Sequence, residues 1–396
     1  MSLPVSARLK RLTPSATVAI SRLAGEMRAA GKDVIALSAG EPDFDTPEFI
    51  ANAAIKAIHQ GHTRYTAVDG IHELKQAICT SFKRDYGLHF STVEVIASVG
   101  GKQLCFNACL SVLQEGDEGI AVAPYWVSYP DMIRLADATA VTVQTRVEND
   151  FKLQPEELAD ALSSKTRLLF LNSPGNPTGN VYNAAELRAL GDVLGDYPSV
   201  VIVSDEIYAP ICWATEGAPS FAAVCPELKD RTLTVNGVSK AYAMTGWRLG
   251  FGGGPAELVG SLRKLQGQST TNPCSISQHA AVAALNADQG FVAEMSATYQ
   301  RRHDYVQQRI REMVGLNLNP AEGAFYAFID ARDLIRQSGL KDDAELCTAL
   351  LESVGLALVP GSAFGTAGFI RLSYACADSS LSEALNRLEK FCAQRM

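Results

Sequence analysis

A lysine and an arginine share one short segment in the second half of the chain. Residues 239–250 read SKAYAMTGWRLG, so Lys240 comes shortly after a predicted strand, residues 231–235, and Arg248 follows within the same segment. A lysine amine can act as a base or a nucleophile, and an arginine can bind phosphate through two directed hydrogen bonds. For an arbitrary pair, an exposed lysine and an arginine paired with a carboxylate are the more ordinary explanation.

An acid and a tyrosine follow another predicted strand, residues 200–204. Asp205 and Tyr208 therefore lie at the carboxyl edge of the predicted sheet, where α/β folds bind their ligands. A carboxylate there could keep a pyridine nitrogen protonated, and a tyrosine could donate a hydrogen bond to a phenolic oxygen on the same ring. Taken singly, Asp205 would serve equally well as a helix cap and Tyr208 as a packing residue.

Two further segments combine glycine or proline with the ends of predicted strands. Residues 172–179 read NSPGNPTG, which alone indicates only a tight surface loop. Residues 100–103 read GGKQ and lie between the predicted strand 95–98 and an apolar helix. Free backbone N–H groups and the helix dipole favour phosphate at such a position, although a Gly-Gly turn in isolation is weak evidence.

Three of these segments match the fingerprint of a known family in the same order. They are N-P-T-G at 176–179, D-E-x-Y at 205–208 and S-K-x-x-x-x-T-G-W-R-x-G at 239–250. The chain resembles the class I and II aminotransferases of pyridoxal-phosphate (PLP) fold type I, from residue 14 to the last predicted helix. The resemblance implies an α/β fold with a mostly parallel central sheet flanked by helices, a smaller α+β domain, and pyridoxal 5'-phosphate as cofactor.

The resemblance also assigns roles around the cofactor. Lys240 matches the lysine that binds PLP as a Schiff base and then moves the substrate proton. Ser239 and Arg248 match the phosphate ligands, which the backbone N–H groups of Gly101 and Lys102 assist. The catalytic residues implied are Lys240, Asp205 and Tyr208, and the cofactor-binding residues implied are Tyr65, Gly101, Lys102, Trp126, Asn176, Asp205, Tyr208, Ser239, Lys240 and Arg248.

Trp126 and Tyr65 have ordinary alternatives. In the family, a tryptophan at the position of Trp126 stacks on the pyridine ring; without the resemblance, it would be taken as a core aromatic. A tyrosine at the position of Tyr65 reaches the phosphate of the neighbouring subunit, which implies a homodimer with shared active sites. Without the resemblance, Tyr65 would be a tyrosine in a local turn.

Substrate binding is assigned in the same way. Arg371 lies in a predicted strand with apolar neighbours, where a charge requires a partner. In the family this arginine binds the substrate α-carboxylate, with help from Asn176, Trp126 and the backbone at Gly40.

Lys102 would have a role in substrate binding if the substrate carries a second carboxylate. The ammonium group of Lys102 could reach that carboxylate on the substrate side chain from the first helical turn. The chain is most similar to the bacterial aspartate/prephenate aminotransferase subgroup, in which the N-terminal segment folds over the site, so Ser15 and Thr17 would join Lys102 there. These features favour a dicarboxylic amino acid such as aspartate, with 2-oxoglutarate as counter-substrate in a ping-pong mechanism and prephenate as a further substrate. In the alternative, Lys102 is solvated, and Ser15 and Thr17 cap a helix.

Other functions stay open on the same fold. A PLP-dependent β-lyase would use the same lysine, and an aminotransferase of aromatic or broad specificity would use the same site without a role for Lys102. A PLP-binding regulatory module without turnover is disfavoured because no DNA-binding domain is found before residue 14. The motif at 250–255, GFGGGP, resembles a dinucleotide fingerprint, but proline stands at the third required glycine.

The elements that must position these residues follow an alternating pattern. Short apolar runs at 95–98, 119–123, 140–143, 167–171, 200–204 and 231–235 predict buried strands of a mostly parallel sheet. Beyond residue 319 the pattern changes to strands at 323–329, 356–359 and 369–373 around a helix at 343–354. A helix from 47 to 59 is expected to bury one face, formed by Phe49, Ile50, Ala53, Ala54 and Ala57. We expect a large domain at 50–310 and a small domain formed by 1–49 and 311–396.

Composition agrees with a globular α/β protein and disfavours several other classes. The 396 residues are 47% hydrophobic and 20% charged, and 43 acidic residues against 35 basic ones leave no basic surface for nucleic acid. The nine cysteines form no C-x-x-C pair, which argues against a zinc site or a disulfide framework. No apolar run suits a signal peptide or a membrane span, so we expect a cytoplasmic protein.

Overall fold

A seven-stranded sheet forms the centre of the computed structural model, which describes residues 5–12 and 16–395. Twelve strands occur in the described part of the chain. In chain order, β1 to β12 are Ile35–Ala36, Val95–Ser98, Glu118–Ala123, Thr139–Gln144, Thr166–Asn172, Val201–Asp205, Thr232–Gly237, Gly250–Gly253, Tyr326–Asp330, Leu356–Ala357, Val359–Pro360 and Phe369–Ser373.

The order in the large sheet is β2-β8-β7-β6-β5-β3-β4. Strands β4, β3, β5, β6 and β7 run parallel, whereas β8 pairs antiparallel with both β7 and β2. Strands β2 and β7 are buried along their whole length, as expected for strands covered on both faces by helices. The parallel arrangement brings the carboxyl ends of β5, β6 and β7 to one edge.

Helices of very different length cover this sheet and the smaller sheets. None in the described ranges combines the length and the apolar character needed to cross a bilayer. The α-helices α1 to α15 are Ala16–Ala29, Glu48–His59, His72–Tyr86, Gly101–Val112, Tyr129–Leu135, Pro155–Ala161, Ala184–Gly195, Phe221–Val224, Val238–Ala241, Ala256–Gly267, Ser275–Asn286, Gly290–Arg311, Arg332–Gln337, Asp343–Val354 and Asp378–Ala393; short 3₁₀ helices span Ala7–Arg11, Val147–Asn149, Pro226–Arg231, Thr245–Trp247 and Gly361–Phe364.

The six strands predicted for the large sheet are confirmed to within a residue or two at each end, but β8 was missed. Its sequence is GFGG, and because glycine is a poor strand former, the local composition does not indicate a strand. Its glycines permit a close approach: a Cβ on Gly250 would lie 2.2 Å from the backbone nitrogen of Gly101 and 2.4 Å from the carbonyl carbon of Gly100.

The ends of the chain meet in a second group of elements. Strands β9, β12 and β11 form an antiparallel sheet, and β1 pairs in parallel with β10, so the N-terminal segment joins the C-terminal part of the chain. The helix predicted at 343–354 is α14, with the predicted bounds. The predicted strand at 356–359 is instead split into β10 and β11. The domain boundaries near 50 and 310 stay a prediction.

Helix α2 corrects one expectation about burial. Ile50, Ala54 and Ala57 are buried as predicted, but Phe49 is 44% exposed. The predicted apolar face was too wide, because α2 packs on α11 along one side only and leaves Phe49, Ile55 and Ile58 outside that contact. An apolar surface therefore remains on this helix.

Replacing Gly250 by alanine tests the contact between β8 and the start of α4. The new methyl group has no space unless the backbone moves, so we expect the free energy of unfolding to fall by about 1–3 kcal/mol. Gly246→Ala is the matched control, because Gly246 lies in the same motif and a Cβ there meets nothing within 4 Å. Melting temperatures of both variants check this; equal values would contradict the close approach.

Candidate active site

Lys240 lies just beyond the end of β7, an inner strand of the large sheet. Strand β7 ends at Gly237, and the short helix α9 places Lys240 directly above the carboxyl edge. Its Nζ donates a hydrogen bond to the carbonyl oxygen of Gly40 at 2.5 Å and lies 5.7 Å from the ring centre of Tyr208. Two predicted site residues thus contact the predicted catalytic lysine.

The surroundings of Lys240 favour the neutral amine. Burial lowers the pKa of Lys240 to about 8; the carboxylates of Glu41 and Asp205 oppose this effect, whereas the positive charges of Arg371 and Arg248 add to it. A neutral amine is the form that attacks a carbonyl carbon or accepts a proton. The lysine is therefore poised for chemistry close to neutral pH.

Asp205 is the last residue of β6 and is buried. Its Oδ2 accepts a hydrogen bond from the Tyr129 hydroxyl at 2.7 Å, while its Oδ1 is 3.3 Å from the backbone nitrogen of Ile207. Burial raises the pKa of Asp205, and the hydrogen bond from Tyr129 opposes that rise. Each oxygen of the carboxylate therefore accepts one hydrogen bond from the protein, and the longer bond from Ile207 leaves Oδ1 with further acceptor capacity.

Glu206, the neighbour of Asp205, points into different surroundings. Its Oε1 accepts hydrogen bonds from the hydroxyls of Ser204 and Ser220 and from the backbone of Phe221. Burial raises the pKa of Glu206 to about 7. The two adjacent acids thus have separate roles, one at the sheet edge and one in the core.

Tyr208 pairs with a residue that the sequence did not indicate. Its hydroxyl is 2.8 Å from the hydroxyl of Tyr326, the first residue of β9, and both tyrosines are buried. A Cβ on Gly40 would lie 2.7 Å from the same Tyr326 hydroxyl. Tyr326 therefore joins Tyr208 to the segment that carries Gly40.

Arg371 is a buried cation in the middle of β12, 3% exposed. Its guanidinium donates to Oδ1 of Asn176 at 3.0 Å and to the carbonyl oxygen of Ser38 at 2.7 Å, and it lies 4.5 Å from the ring centre of Tyr326. Within the described ranges it forms no ion pair, and its Nε has no partner. A buried guanidinium with only neutral contacts favours an incoming anion.

A glycine-lined surface beside Arg248 has the shape of an anion site. Gly100 precedes α4 with φ of 83°, and a Cβ on it would lie 2.7 Å from Nη2 of Arg248. Gly101 and Lys102 form the first turn of α4, whose free N–H groups favour a phosphate. Arg248 itself has φ of 54°, and Ser239 is buried on α9 beside Lys240.

Lys102 extends over Trp126, with Nζ 4.8 Å from the ring centre. Burial and the charge of Arg248 lower the pKa of Lys102. No carboxylate pairs with Lys102 in the part of the chain that the structure describes. Its ammonium group therefore lies near the predicted ring-stacking residue and can accept an anionic partner.

Three predicted residues have no described contact within this arrangement. Ser15 lies outside the described residues, and Thr17 belongs to α1, where the description does not extend to its side chain. Tyr65 is 91% exposed, as expected for a residue that acts outside its own subunit. The roles of these three stay predictions.

Several residues that shape the site were not assigned from the sequence. Asn172 donates to the carbonyl oxygen of Asp205 at 2.8 Å and accepts from the backbone of Asn176 at 2.9 Å. Its place at the end of β5, on the carboxyl edge, could have revealed it. Tyr326 and Ser38 come from distant parts of the chain, and nothing in their local sequence indicates the contact.

Groups of three or more His, Cys, Asp and Glu side chains that could hold a metal ion are absent from residues 5–12 and 16–395. All nine cysteines are free, and Cys105 and Cys109 are buried in α4, the predicted helix. The donor set of the site consists of backbone N–H groups, two arginines, an amine and a carboxylate, and these groups suit an organic ligand that carries a phosphate.

The model of one family, described as aminotransferase class I and II, matches residues 32–388. The chain belongs to this family. It is 48% identical to an aspartate/prephenate aminotransferase of Cereibacter sphaeroides over 394 residues, 98% of each chain, and 43% identical to an aspartate aminotransferase of Geobacillus stearothermophilus over 388 residues, again 98% of each chain.

Solved structures of the family agree with the fold. An aspartate aminotransferase from Rhizobium meliloti superimposes with a TM-score of 0.96 at 42% identity, covering 99% of both chains. The aspartate aminotransferase from Thermus thermophilus with maleate gives a TM-score of 0.93 at 40% identity, covering 98% of this chain and 100% of that one. The predicted fold class is confirmed.

Titration of the Lys240 amine tests the electrostatics of the site. After reductive methylation with ¹³C-formaldehyde, the signal absent from Lys240→Arg reports Lys240, and we expect its midpoint near pH 8. Below that pH the group is an ammonium ion, and above it the reactive amine dominates. A midpoint near the ordinary lysine value of 10.5 would show that the side chain is solvated.

Proposed function

We propose that the protein is a PLP-dependent aminotransferase that takes its amino group from a dicarboxylic amino acid, aspartate above all, and transfers it to a 2-oxo acid such as 2-oxoglutarate. The observation that carries the proposal is the pair Lys240 and Arg371. Lys240 is a half-buried amine whose pKa is lowered in part by the charge of Arg371, and Arg371 is a buried guanidinium that has only neutral partners. An amino acid offers the carboxylate that Arg371 lacks.

The residues at the site fit PLP. Oδ1 of Asp205 accepts only one long hydrogen bond and could accept another from a protonated ring nitrogen, and Tyr208 offers a hydroxyl for the ring oxygen. The glycines before α4 leave a cradle that a Cβ would fill, and its N–H groups, with Ser239 and Arg248, would hold the phosphate. The cofactor, when bound, supplies an electron sink for the bond that breaks at the substrate Cα.

Each protein group then has a defined task. Arg371 and Asn176 orient the substrate carboxylate, which fixes the direction of the Cα–H bond. Lys240, as a neutral amine, accepts the proton from Cα and returns a proton at the other end of the transfer. Asp205 keeps the ring nitrogen protonated. Burial of these groups excludes water, which strengthens every charge interaction among them.

Specificity for a dicarboxylate rests on Lys102. Its ammonium group is free of carboxylate partners within the described ranges and lies over Trp126, the residue that would stack on the cofactor ring. The Thermus thermophilus relative was solved with maleate, a dicarboxylate, which supports an acidic substrate here. Ser15 and Thr17 would complete this subsite, and prephenate, which also carries two carboxylates, is a further substrate of the proposed enzyme.

A half-reaction with single amino donors tests the function. Aspartate should change the absorbance of the bound cofactor and release oxaloacetate, whereas alanine should react poorly. In Lys102→Ala, the preference for aspartate over alanine should fall about 10- to 100-fold, the value of one charged hydrogen bond of roughly 1.5–3 kcal/mol. Lys264→Ala, on the exposed surface of α10, is the matched control.

The alternatives give different results in the same assay. Release of pyruvate and ammonia from cystathionine without amino transfer would identify a β-lyase. A response to aromatic donors that exceeds the response to aspartate would contradict the role of Lys102, and the absence of turnover with any donor would leave only a regulatory module. A cytoplasmic location and the lack of nucleic-acid binding stay predictions.

We further propose a homodimer whose active sites are shared. Four large side chains between residues 49 and 65 are exposed, with Tyr65 at 91%, Ile55 at 51%, Ile58 at 50% and Phe49 at 44%. Several exposed large side chains within one short stretch of the chain are typical of a surface that a partner covers. With a second copy on this face, Tyr65 would reach the phosphate site of its neighbour.

Ile58→Arg tests the dimer surface. A charge in the proposed interface should convert a dimer, seen by sedimentation velocity, into a monomer, and cofactor affinity should fall because Tyr65 loses its place. Val314→Arg is the matched control, because Val314 is 51% exposed and lies outside the patch. If both variants sediment as the unchanged protein does, the interface lies elsewhere.

A further inference from the structure

Tyr129 is a buried side chain to which the proposed chemistry assigns no role. It is the first residue of α5 and 2% exposed. Its hydroxyl is 2.7 Å from Oδ2 of Asp205, and its ring is stacked on Phe170 at 4.2 Å with an interplanar angle of 12°. Its ring also meets the ring of Trp126 edge-on, at 5.3 Å and 84°. One residue thus contacts both groups proposed to face the cofactor ring.

The direction of the hydrogen bond follows from the surroundings. Burial, together with the charge of Asp205, raises the pKa of Tyr129 well above its ordinary value, so the phenol keeps its proton and is the donor. Asp205 is the acceptor, and this bond opposes the effect of burial on the pKa of Asp205. The Sγ of Cys105 is the other side-chain neighbour of Oδ2, at 3.9 Å.

The position of Tyr129 also fixes the orientation of the Asp205 carboxylate. The phenol engages Oδ2, while Oδ1 accepts only the 3.3 Å bond from the backbone of Ile207 and has a lone pair left for a ligand. The stacking on Phe170 prevents the tyrosine from turning away. The edge-on contact between the two rings also restricts the position of the Trp126 indole. Small movements of Tyr129 would therefore displace both Asp205 and Trp126.

We propose that Tyr129 is a positioning residue that aligns Asp205 with Trp126 and keeps the shared proton on the ring nitrogen of the cofactor rather than on Asp205. This inference rests on the proposed function, since it assumes that PLP binds. A carboxylate that accepts a hydrogen bond is a weaker base than one that does not. Asp205 and the ring nitrogen share one proton. Because the hydrogen bond from Tyr129 makes Asp205 the weaker base, the proton resides on the nitrogen for a larger fraction of the time, and a protonated ring withdraws electrons more strongly from the substrate Cα.

Tyr129→Phe tests this role, because it removes the hydroxyl and keeps the ring. In protein reconstituted with ¹⁵N-labelled PLP, we expect the ring ¹⁵N signal to move toward that of unprotonated pyridine. The dissociation constant of PLP should rise about tenfold, and kcat should fall while KM for aspartate changes little, since Arg371 is untouched. Tyr182→Phe is the matched control: Tyr182 is 4% exposed, and its hydroxyl accepts one hydrogen bond, from the backbone of Leu153 at 2.7 Å.

A second variant distinguishes an effect of the hydrogen bond from an effect of lost folding. Replacement of Tyr129 by 3-fluorotyrosine strengthens the donor and should leave the ring nitrogen at least as protonated as in the unmodified protein; a shift in the same direction as Tyr129→Phe would overturn the inference. An unchanged ¹⁵N signal in Tyr129→Phe would also overturn it. Failure of the unmodified protein to bind PLP would instead refute the proposed function, so the two failures are distinguishable.

Discussion

The burial of Arg371 without a carboxylate partner is the constraint on which the site depends. A guanidinium in the interior is costly, and its contacts with Asn176, Ser38 and the rings of Tyr326 and Phe364 compensate only in part. These contacts come from four separate segments of the chain, so the cation draws together the N-terminal segment, the loop after β5 and the small sheet. An anion that enters this pocket completes the interaction that the fold leaves open.

The adjacent acidic residues Asp205 and Glu206 differ in role because their side chains face different surroundings. At the end of β6 the chain turns Asp205 toward the site and Glu206 toward the core. Glu206 is held by the hydroxyls of Ser204 and Ser220, whereas Asp205 accepts from Tyr129 on Oδ2 and from the backbone of Ile207 on Oδ1. An acidic residue therefore has a proposed catalytic role at position 205 and a structural role at position 206, because the hydrogen-bond partners of the two carboxylates differ.

Three glycines shape the proposed phosphate site. Gly250 in β8 lies against Gly100 and Gly101 so closely that any side chain would separate the sheet from the start of α4. This contact explains why a segment with poor strand propensity is a strand: its pairing with β7 and β2 and the close approach outweigh its local preference. The same close approach leaves the N–H groups of α4 free for an anion.

The sequence by itself determined the fold class, six strands of the large sheet, helix α14 and the family, because buried parallel strands are continuous apolar runs and the motifs at the strand ends have strict spacing. It also assigned Lys240 and Asp205, which follow their strands directly. It did not reveal β8, the exposure of Phe49, or the contacts of Tyr129 and Tyr326. Those were decided only by the tertiary structure, since they depend on which distant segments pack together, and local periodicity carries no record of that.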